Sequence, residues 1–371
     1  MVSHRLREGP MRLYEKINIS TTELATMPPC TRRALLTAAG TGVVASLAGC
    51  GSLVNNSPLA EAPPVGELDG YRVFIAEGVD FPNPGAVSSV KDSASADVSV
   101  YPSGDDQVQQ VRGCLTDGRP AVVVGANAQW TVMQACADSD RRYGFTQNGW
   151  GPTDRIAAAV PKQGRLDTHK FVGAELPRDL PWAVSEVLEP SLPECPEPLD
   201  LEVPDGATTI GRSRIRGVND VGGFDRWDTL RLAAKTEPAV VSVDMQATMY
   251  GGSTQSDTSS YKPDRIRFVS DFPERITGMS PQDADIDGLT VETTGSAGSE
   301  TTLMQYTFTP QEKIDLWSFA ACTRMQFQTR DTEPPISYDS NGRFRWRDPQ
   351  LLDDDTWVHH TPGQAVWYPN R

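Results

Sequence analysis

A cluster of four prolines within residues 190–198 separates two stretches of the chain that differ in hydrophobic periodicity. Proline fixes φ and has no backbone N–H, so a run this dense favours a stiff, extended connector over a helix or a central strand. The roughly 305 residues that follow position 66 are enough for two domain cores. The sequence therefore predicts a linker at 190–199 between one domain at 67–189 and another at 200–371.

Before the linker, short apolar runs alternate with helical patterns. The candidate strands lie at residues 73–76, 98–101, 121–124 and 156–160. A polar start at 103–106 precedes one predicted helix, with Val108, Val111 and Leu115 on one face. Trp130, Met133 and Ala137 form the apolar face of a second. Strands that alternate with helices predict a small α/β domain with a mainly parallel sheet.

After the linker the apolar residues recur at every second position. The clearest runs are Val241, Val243 and Met245; Met304, Tyr306 and Phe308; Met325 and Phe327; and Phe344 and Trp346, which sit between Arg343, Arg345 and Arg347. This alternation is typical of strands with one buried face. The fold class expected is therefore α/β plus all-β, with an antiparallel, sandwich-like C-terminal domain.

The N-terminal region carries an export pattern. Arg32 and Arg33 stand directly before a mildly apolar run at 34–48, and Cys50 follows small residues. The run is too short to span a bilayer, which takes about 20 apolar residues. A buried, Ala-rich helix that happens to contain two arginines is the structural alternative.

This segment resembles the signal peptides of haloarchaeal lipoproteins exported by the twin-arginine (Tat) pathway, and the resemblance covers only residues 31–50. It implies removal of a leader at 1–49, lipidation of Cys50 and a membrane anchor on the extracellular face. Residues 50–66 are then a flexible tether. The true start could be Met1, Met11 or Met27.

The chain is acidic and poor in lysine. Its formal net charge is -15, and seven of its 34 basic residues are lysines. Such a surface suits concentrated salt, where the Debye length shrinks to about 3 Å at 1 M and self-repulsion fades. No basic face or Lys/Arg run is visible outside the leader, so nucleic acid is not an expected partner.

Four cysteines remain after the leader and the lipidated residue are set aside. In an exported protein they permit two disulfides in three connectivities. We expect Cys114 to pair with Cys136, and Cys195 then pairs with Cys322. Four buried, reduced thiols are the alternative.

Two loops are candidates for a small-solute cleft. Asn127 and Gln129 follow the apolar run at 121–124, and Asn148 and Trp150 lie in the next polar loop. In open α/β sheets, ligands gather at the carboxyl ends of strands, and a helix start can hold an anion. Ordinary turns, with Trp130 and Trp150 in the core, are the alternative.

An acidic loop suggests a calcium site. Asp283, Asp285 and Asp287 alternate before Gly288, as in the first half of an EF-hand loop. The twelfth position is Thr294, where a bidentate glutamate belongs. A plain solvated surface is the alternative, so Ca²⁺ is a hypothesis for Asp283, Asp285 and Asp287.

No catalytic motif is found, since neither a Gly-x-Ser-x-Gly elbow nor a His-Glu-x-x-His helix occurs. His169 is the one candidate base of the first domain, and a core or surface role suits it better. The sequence favours a non-enzymatic lipoprotein that binds a solute or an envelope protein. A structural envelope component comes second and an exported metal-assisted hydrolase third.

Overall fold

A computed structural model describes residues 68, 70–82, 87–147, 155–189, 201–218, 221–251, 261–281, 289–298, 302–311, 318–332, 335–348, 356–361 and 363–369. All of them fall within one compact unit, Val54–Arg371. The leader with Arg32 and Arg33, the predicted lipid site Cys50 and the linker at 190–199 lie outside the described residues.

Eighteen described strands form one mixed sheet. They are β1 (Arg72–Ile75), β2 (Ser88–Val90), β3 (Val98–Pro102), β4 (Ala121–Val124), β5 (Arg142–Gln147), β6 (Ile156–Lys162), β7 (Arg165–Val172), β8 (Thr208–Val218), β9 (Gly222–Ala233), β10 (Ala239–Gly251), β11 (Lys262–Asp271), β12 (Ile276–Pro281), β13 (Leu289–Thr294), β14 (Leu303–Pro310), β15 (Ser318–Thr329), β16 (Ile336–Arg347), β17 (Thr356–Thr361) and β18 (Gln364–Tyr368). The described α-helices are α1 (Val108–Thr116), α2 (Ala128–Ala137) and α3 (Leu180–Leu188).

The elements predicted before the linker are confirmed. Strands β1, β3, β4 and β6 coincide with the four apolar runs. Helix α1 buries Val108, Val111 and Leu115, as their spacing indicates. The helix ends before Gly118, whose φ of 82° suits glycine.

The strands around these helices pair in both directions. Strand β1 is parallel to β2 and β3, β3 is parallel to β4, and β5 is parallel to β7. Strand β6 is antiparallel to both β4 and β7. Strand β7 then pairs in parallel with β8. The sheet therefore continues directly from the strands before the predicted linker into those after it, and the division into two domains stays a prediction.

Strands β8 to β18 pair with one another only in antiparallel fashion among the described residues. Strands β10 and β15 contact β11, and all three contribute to one apolar core. Val243, Phe268 and Trp346 are fully buried in that core. The period-two pattern therefore identified the inward faces of these strands correctly.

A buried ion pair ties this core to the earlier strands. Arg226 donates from Nε and Nη2 to the Asp228 carboxylate at 3.1 and 2.9 Å, and both residues are 1% exposed. Asp228 Oδ2 also accepts from Thr146 Oγ1 on β5 and from Ser340 Oγ on β16. Arg226 Nη1 reaches Thr361 Oγ1 on β17 at 3.1 Å. Because a buried charge needs such partners, these four strands depend on one another.

The predicted disulfide between Cys114 and Cys136 is wrong. Both cysteines are free thiols, buried where α1 and α2 pack on the sheet, and each behaves as a small apolar residue. Cys114 Sγ lies 3.5 Å from the carbonyl oxygen of Pro120. Cys322 on β15 is disulfide-bonded. Cys195 lies outside the described residues, so its pairing with Cys322 stays a prediction.

The buried face of α2 also differs from the prediction. The helix turns Ala128, Val132, Ala135 and Cys136 inward, while Trp130 is 39% exposed. Small side chains let α2 approach the sheet and α1 closely, and the bulky indole is left at the rim. No helix among the described residues is both long and apolar enough to cross a membrane.

Candidate functional site: a cleft at the ends of three parallel strands

A cleft of about 350 Å³ lies where β1, β3 and β4 end. Its described lining residues are Gly78, Asp80, Pro102, Ser103, Val124, Gly125, Leu176 and Pro177. The three strands are parallel, so their carboxyl ends meet at one edge of the sheet. This is the edge at which open α/β sheets bind ligands.

The floor of the cleft depends on a close approach between two loops. Ser103 donates its backbone N–H to the carbonyl of Val124 at 2.7 Å, which holds the end of β3 against the end of β4. Gly125 follows with a φ of 121°, and a Cβ there would collide with the Ser103 hydroxyl. Only glycine both adopts this positive φ readily and has no Cβ to collide with Ser103.

The opposite wall belongs to the segment between β7 and α3. Gly173 has a φ of 76°, and a Cβ on it would collide with the Val218 carbonyl oxygen. The Asp179 carboxylate accepts the backbone N–H of Glu175 at 2.8 Å and an ion pair from Arg178 at 2.7 Å. These contacts fix the turn that presents Leu176 and Pro177 to the cleft.

Helix α3 is in turn held to the sheet by buried charges. Glu186 on α3 accepts from Arg214 at 2.8 Å, and Arg214 also donates to Asp225 at 2.9 Å. Arg214 lies 5.0 Å over the indole of Trp227, and Arg216 lies 4.9 Å over that of Trp182. Charge pairing and cation–π contacts together hold the wall of the cleft in place.

The cleft offers few polar groups within mostly apolar walls, which is the usual composition of a small-ligand site. Asp80 is the charged residue among the described lining residues, and it is exposed. The Ser103 hydroxyl accepts the Asn127 N–H at 3.4 Å and keeps its own proton to donate. Ala128 N–H bonds to the Gly125 carbonyl. Because these first amides of α2 are used internally, the cleft suits a hydrogen-bond donor better than an anion.

The predicted cleft residues are only partly brought together. Asn127 lies at the edge of the cleft through its bond to Ser103, and Gln129 is half-buried on the first turn of α2, outside the lining. Asn148 and Trp150 lie outside the described residues. Asp80 and the wall at 176–177 were missed, because their loops show no motif and only the fold brings them to the strand ends.

The remaining sequence candidates give no catalytic or metal centre in the part of the chain that is described. His169 is 3% exposed on β7, and burial lowers its pKa well below 6.5, with Arg214 and Lys162 adding to the effect. It is therefore a neutral core residue, as expected. Within the described ranges, no group of three or more His, Cys, Asp or Glu side chains is placed to hold a metal. Asp283, Asp285 and Asp287 lie outside those ranges.

The fold also produces a basic face that the sequence analysis did not find. Arg265 and Arg267 on β11 pair with Arg345 and Arg343 on β16. The face is not visible in the sequence, because these arginines are about 80 residues apart and meet only by strand pairing. The absence of a nucleic-acid partner stays a prediction. The signal was present as arginines that alternate with apolar residues in both strands.

Comparisons with known proteins do not identify the chain. No family model matches it, and no curated protein matches it. It shows similarity to a solved structure described as "Pore forming protein", at 5% identity and a TM-score of 0.22, over 45% of this chain and 91% of that one. A likeness at this level carries no argument about fold or function.

Proposed function

We propose that this chain is a Tat-exported lipoprotein of a salt-adapted cell, anchored by Cys50, and that it binds a small solute in the cleft at the ends of β1, β3 and β4. The observation that carries the binding role is the cleft itself, in which Asp80 and Ser103 stand within apolar walls. The anchor and the salt adaptation are supported by the sequence at 31–50 and by the acidic, lysine-poor composition.

The lining indicates the class of solute. An exposed carboxylate and a hydroxyl suit a ligand that carries an ammonium or hydroxyl group. Pro102, Leu176 and Pro177 suit an apolar portion of the same molecule. We therefore expect small amines, amino acids or polyols rather than phosphates. The described lining residues include neither histidine nor cysteine, which favours binding over catalysis by these residues.

The two-part organisation is part of the same proposal. The helices and the cleft belong to the predicted α/β part at 67–189, and the antiparallel strands belong to the part at 200–371. We assign solute binding to the first part and a supporting or contact role to the second. A calcium ion at Asp283, Asp285 and Asp287 remains a separate hypothesis for the second part.

Thermal melting of the full chain in detergent and high salt tests the cleft. A solute that binds only the folded state stabilises it by about 2.7 kcal/mol at 100 times its Kd. Asp80→Asn should abolish the shift given by an amine, while Asp140→Asn, an exposed aspartate beyond the opposite end of α2, should leave it intact. If no solute moves the melting curve, the structural envelope role replaces binding as the preferred function.

The anchor is tested separately in cells. Cys50→Ser should release the protein from the membrane fraction, and Arg32→Lys with Arg33→Lys should keep it inside the cell. Unchanged membrane association of Cys50→Ser would exclude the lipid anchor without affecting the cleft.

A further inference from the structure

Four arginines form a compact block on the outward side of the sandwich. Strands β11 and β16 are antiparallel, with Arg267 opposite Arg343 and Arg265 opposite Arg345. Ile266 and Phe344, which alternate with them, are fully buried in the core. Alternation along a strand therefore turns all four arginines outward. We call Arg265, Arg267, Arg343 and Arg345 the arginine block.

The block is poorly neutralised. Asp264 makes an ion pair with Arg345. Arg267 donates to Gln305, a neutral amide. Arg265 and Arg343 make no ion pair with any described residue. The Nε atoms of Arg265 and Arg267 are buried without a hydrogen-bond partner among the described residues. Three of the four guanidinium groups thus keep an uncompensated charge.

Apart from Asp264, three nearby acidic residues are placed away from the block. Asp271 and Asp339 form their own cross-strand pair four residues further along the same two strands, about 13 Å away. Glu292 lies two strands from Arg267, about 10 Å away, because Thr307 on β14 stands between them. The chain has a net charge of -15, so acidic residues are abundant. Asp271, Asp339 and Glu292 are nevertheless too far away to neutralise the arginines.

The guanidinium groups of the block repel one another. Partial burial lowers the pKa of Arg343, and the charges of Arg267, Arg345 and Arg265 lower it further. Like charges directly opposite each other destabilise a strand pair. Two such pairs in adjacent positions oppose folding, and a bound anion would remove the repulsion.

The surroundings select among anionic ligands. Thr309 follows Thr307 by two residues on the same face and pairs with Thr290 on β13, which adds hydroxyl groups beside the arginines. Single-stranded nucleic acid is normally held by stacking on aromatic rings. The exposed Trp357 pairs with the buried Trp346, so it belongs to the core side of its strand and not to this face. Arg265, Arg267 and Arg345 are only partly exposed, so a flat lipid surface reaches them less readily than a chain that lies along the strands.

We propose that the arginine block binds an anionic polysaccharide through its sulfate, phosphate or carboxylate groups. The planar guanidinium group can donate two parallel hydrogen bonds to such an oxyanion. Dissolved salt weakens these direct contacts less than it weakens electrostatic attraction over longer distances. The spacing of about 5 Å across strands and 7 Å along them places several donors around successive anionic groups. This role is separate from solute binding in the cleft and does not depend on it.

Heparin, a sulfated polysaccharide, is the probe for the test. The full chain is titrated with labelled heparin at the lowest salt at which its melting curve shows it folded. The double variant Arg265→Gln/Arg343→Gln should weaken binding about tenfold or more, since each lost charge-assisted hydrogen bond contributes strongly. The double variant Arg275→Gln/Arg330→Gln removes two exposed arginines elsewhere and should bind as the wild type does.

The comparison probes are uncharged dextran, oligo(dT) and vesicles containing phosphatidylglycerol. Neither variant should melt below the wild type, because the first relieves repulsion and the second alters exposed side chains. Absence of heparin binding overturns the proposal, as does equal weakening by the two double variants. Preferential binding of oligo(dT) or of vesicles also overturns it and assigns the block to that other class of anion.

Discussion

The imidazole of His169 stands edge-on to the indole of Trp227, with ring centroids 5.4 Å apart. His169 lies on β7 and pairs with Arg214 on β8, which itself pairs with Trp227 on β9. Three cross-strand neighbours therefore share one buried row under α3. A neutral ring fits this row, whereas an imidazolium would lie beside a guanidinium.

His169 should make the protein acid-sensitive. Its folded pKa is well below 6.5, so the unfolded chain binds a proton in the range where the folded protein does not. The stability from this group is complete above the unfolded pKa and falls as the pH drops below it, by up to about 1.4 kcal/mol per pH unit. We expect His169→Phe to flatten the loss of unfolding free energy between about pH 6.5 and 5.5. Urea titrations of both proteins measure it, and parallel curves would contradict the assignment.

Loss of the Asp228 charge should destabilise the core strongly. Asp228→Asn leaves the buried Arg226 guanidinium without its ion-pair partner, which costs about 3–5 kcal/mol. Arg226→Leu combined with Asp228→Leu should cost less than Asp228→Asn alone, because no uncompensated charge remains. Chemical denaturation of the wild type, Asp228→Asn and the double leucine variant measures their free energies of unfolding. A loss below about 1 kcal/mol for Asp228→Asn would show that water reaches the Arg226–Asp228 ion pair.

Cys114 and Cys136 should be unreactive in the native protein. Burial raises the pKa of both thiols, so little thiolate forms at neutral pH. We expect no alkylation by iodoacetamide until denaturant is added, and then modification of both. Peptide mass spectrometry identifies the sites. A Cys114–Cys136 cross-linked peptide from protein prepared without reductant would refute the free-thiol assignment.

Gly125→Ala should destabilise the protein by about 1–3 kcal/mol, because alanine is strained at positive φ and its Cβ meets the Ser103 hydroxyl. Gly113→Ala is the matched control, since Gly113 lies within α1 with no atom in the way of a Cβ. That change should stabilise by about 0.5–1 kcal/mol. Melting temperatures of the two variants and the wild type show whether each substitution destabilises or stabilises the protein. Equal effects of the two substitutions would mean that the Ser103–Gly125 contact does not shape the floor of the cleft.

Local patterns predicted the strands and helices well where one face is buried. The spacing of Val108, Val111 and Leu115 indicated a helix, and the alternation around Val243 and Phe344 indicated strands with one inward face. Hydrophobic periodicity predicts such elements because it follows which side chains are buried. The face of α2 was mispredicted, since the spacing of Trp130, Met133 and Ala137 is helical while close packing favours the small residues beside them. Strand β9 is buried on both faces and has polar residues at buried positions. Its sequence therefore shows no alternation of hydrophobic and polar residues from which a strand could be predicted.

The sites depended on contacts that no local pattern records. The strand-end rule indicated this edge of the sheet, and Asn127 lies beside the cleft through its bond to Ser103, while Gln129 lies outside the described lining. Asp80 and Leu176 come from loops separated by about 100 residues. The arginine block likewise needs the register of β11 against β16. A single sequence contains the residues of these sites but not the pairing that assembles them.

The pairing of β5 with β18 joins Gln147 to Gln364, more than 200 residues downstream. At a synthesis rate of about 5–20 residues per second, β5 emerges from the ribosome roughly 10–40 s before its partner strand exists. Throughout that interval one edge of the nascent sheet is open to pairing with other chains. The cell therefore has to shield an unfinished protein for a time set by translation, and slower codons between the two strands would lengthen it.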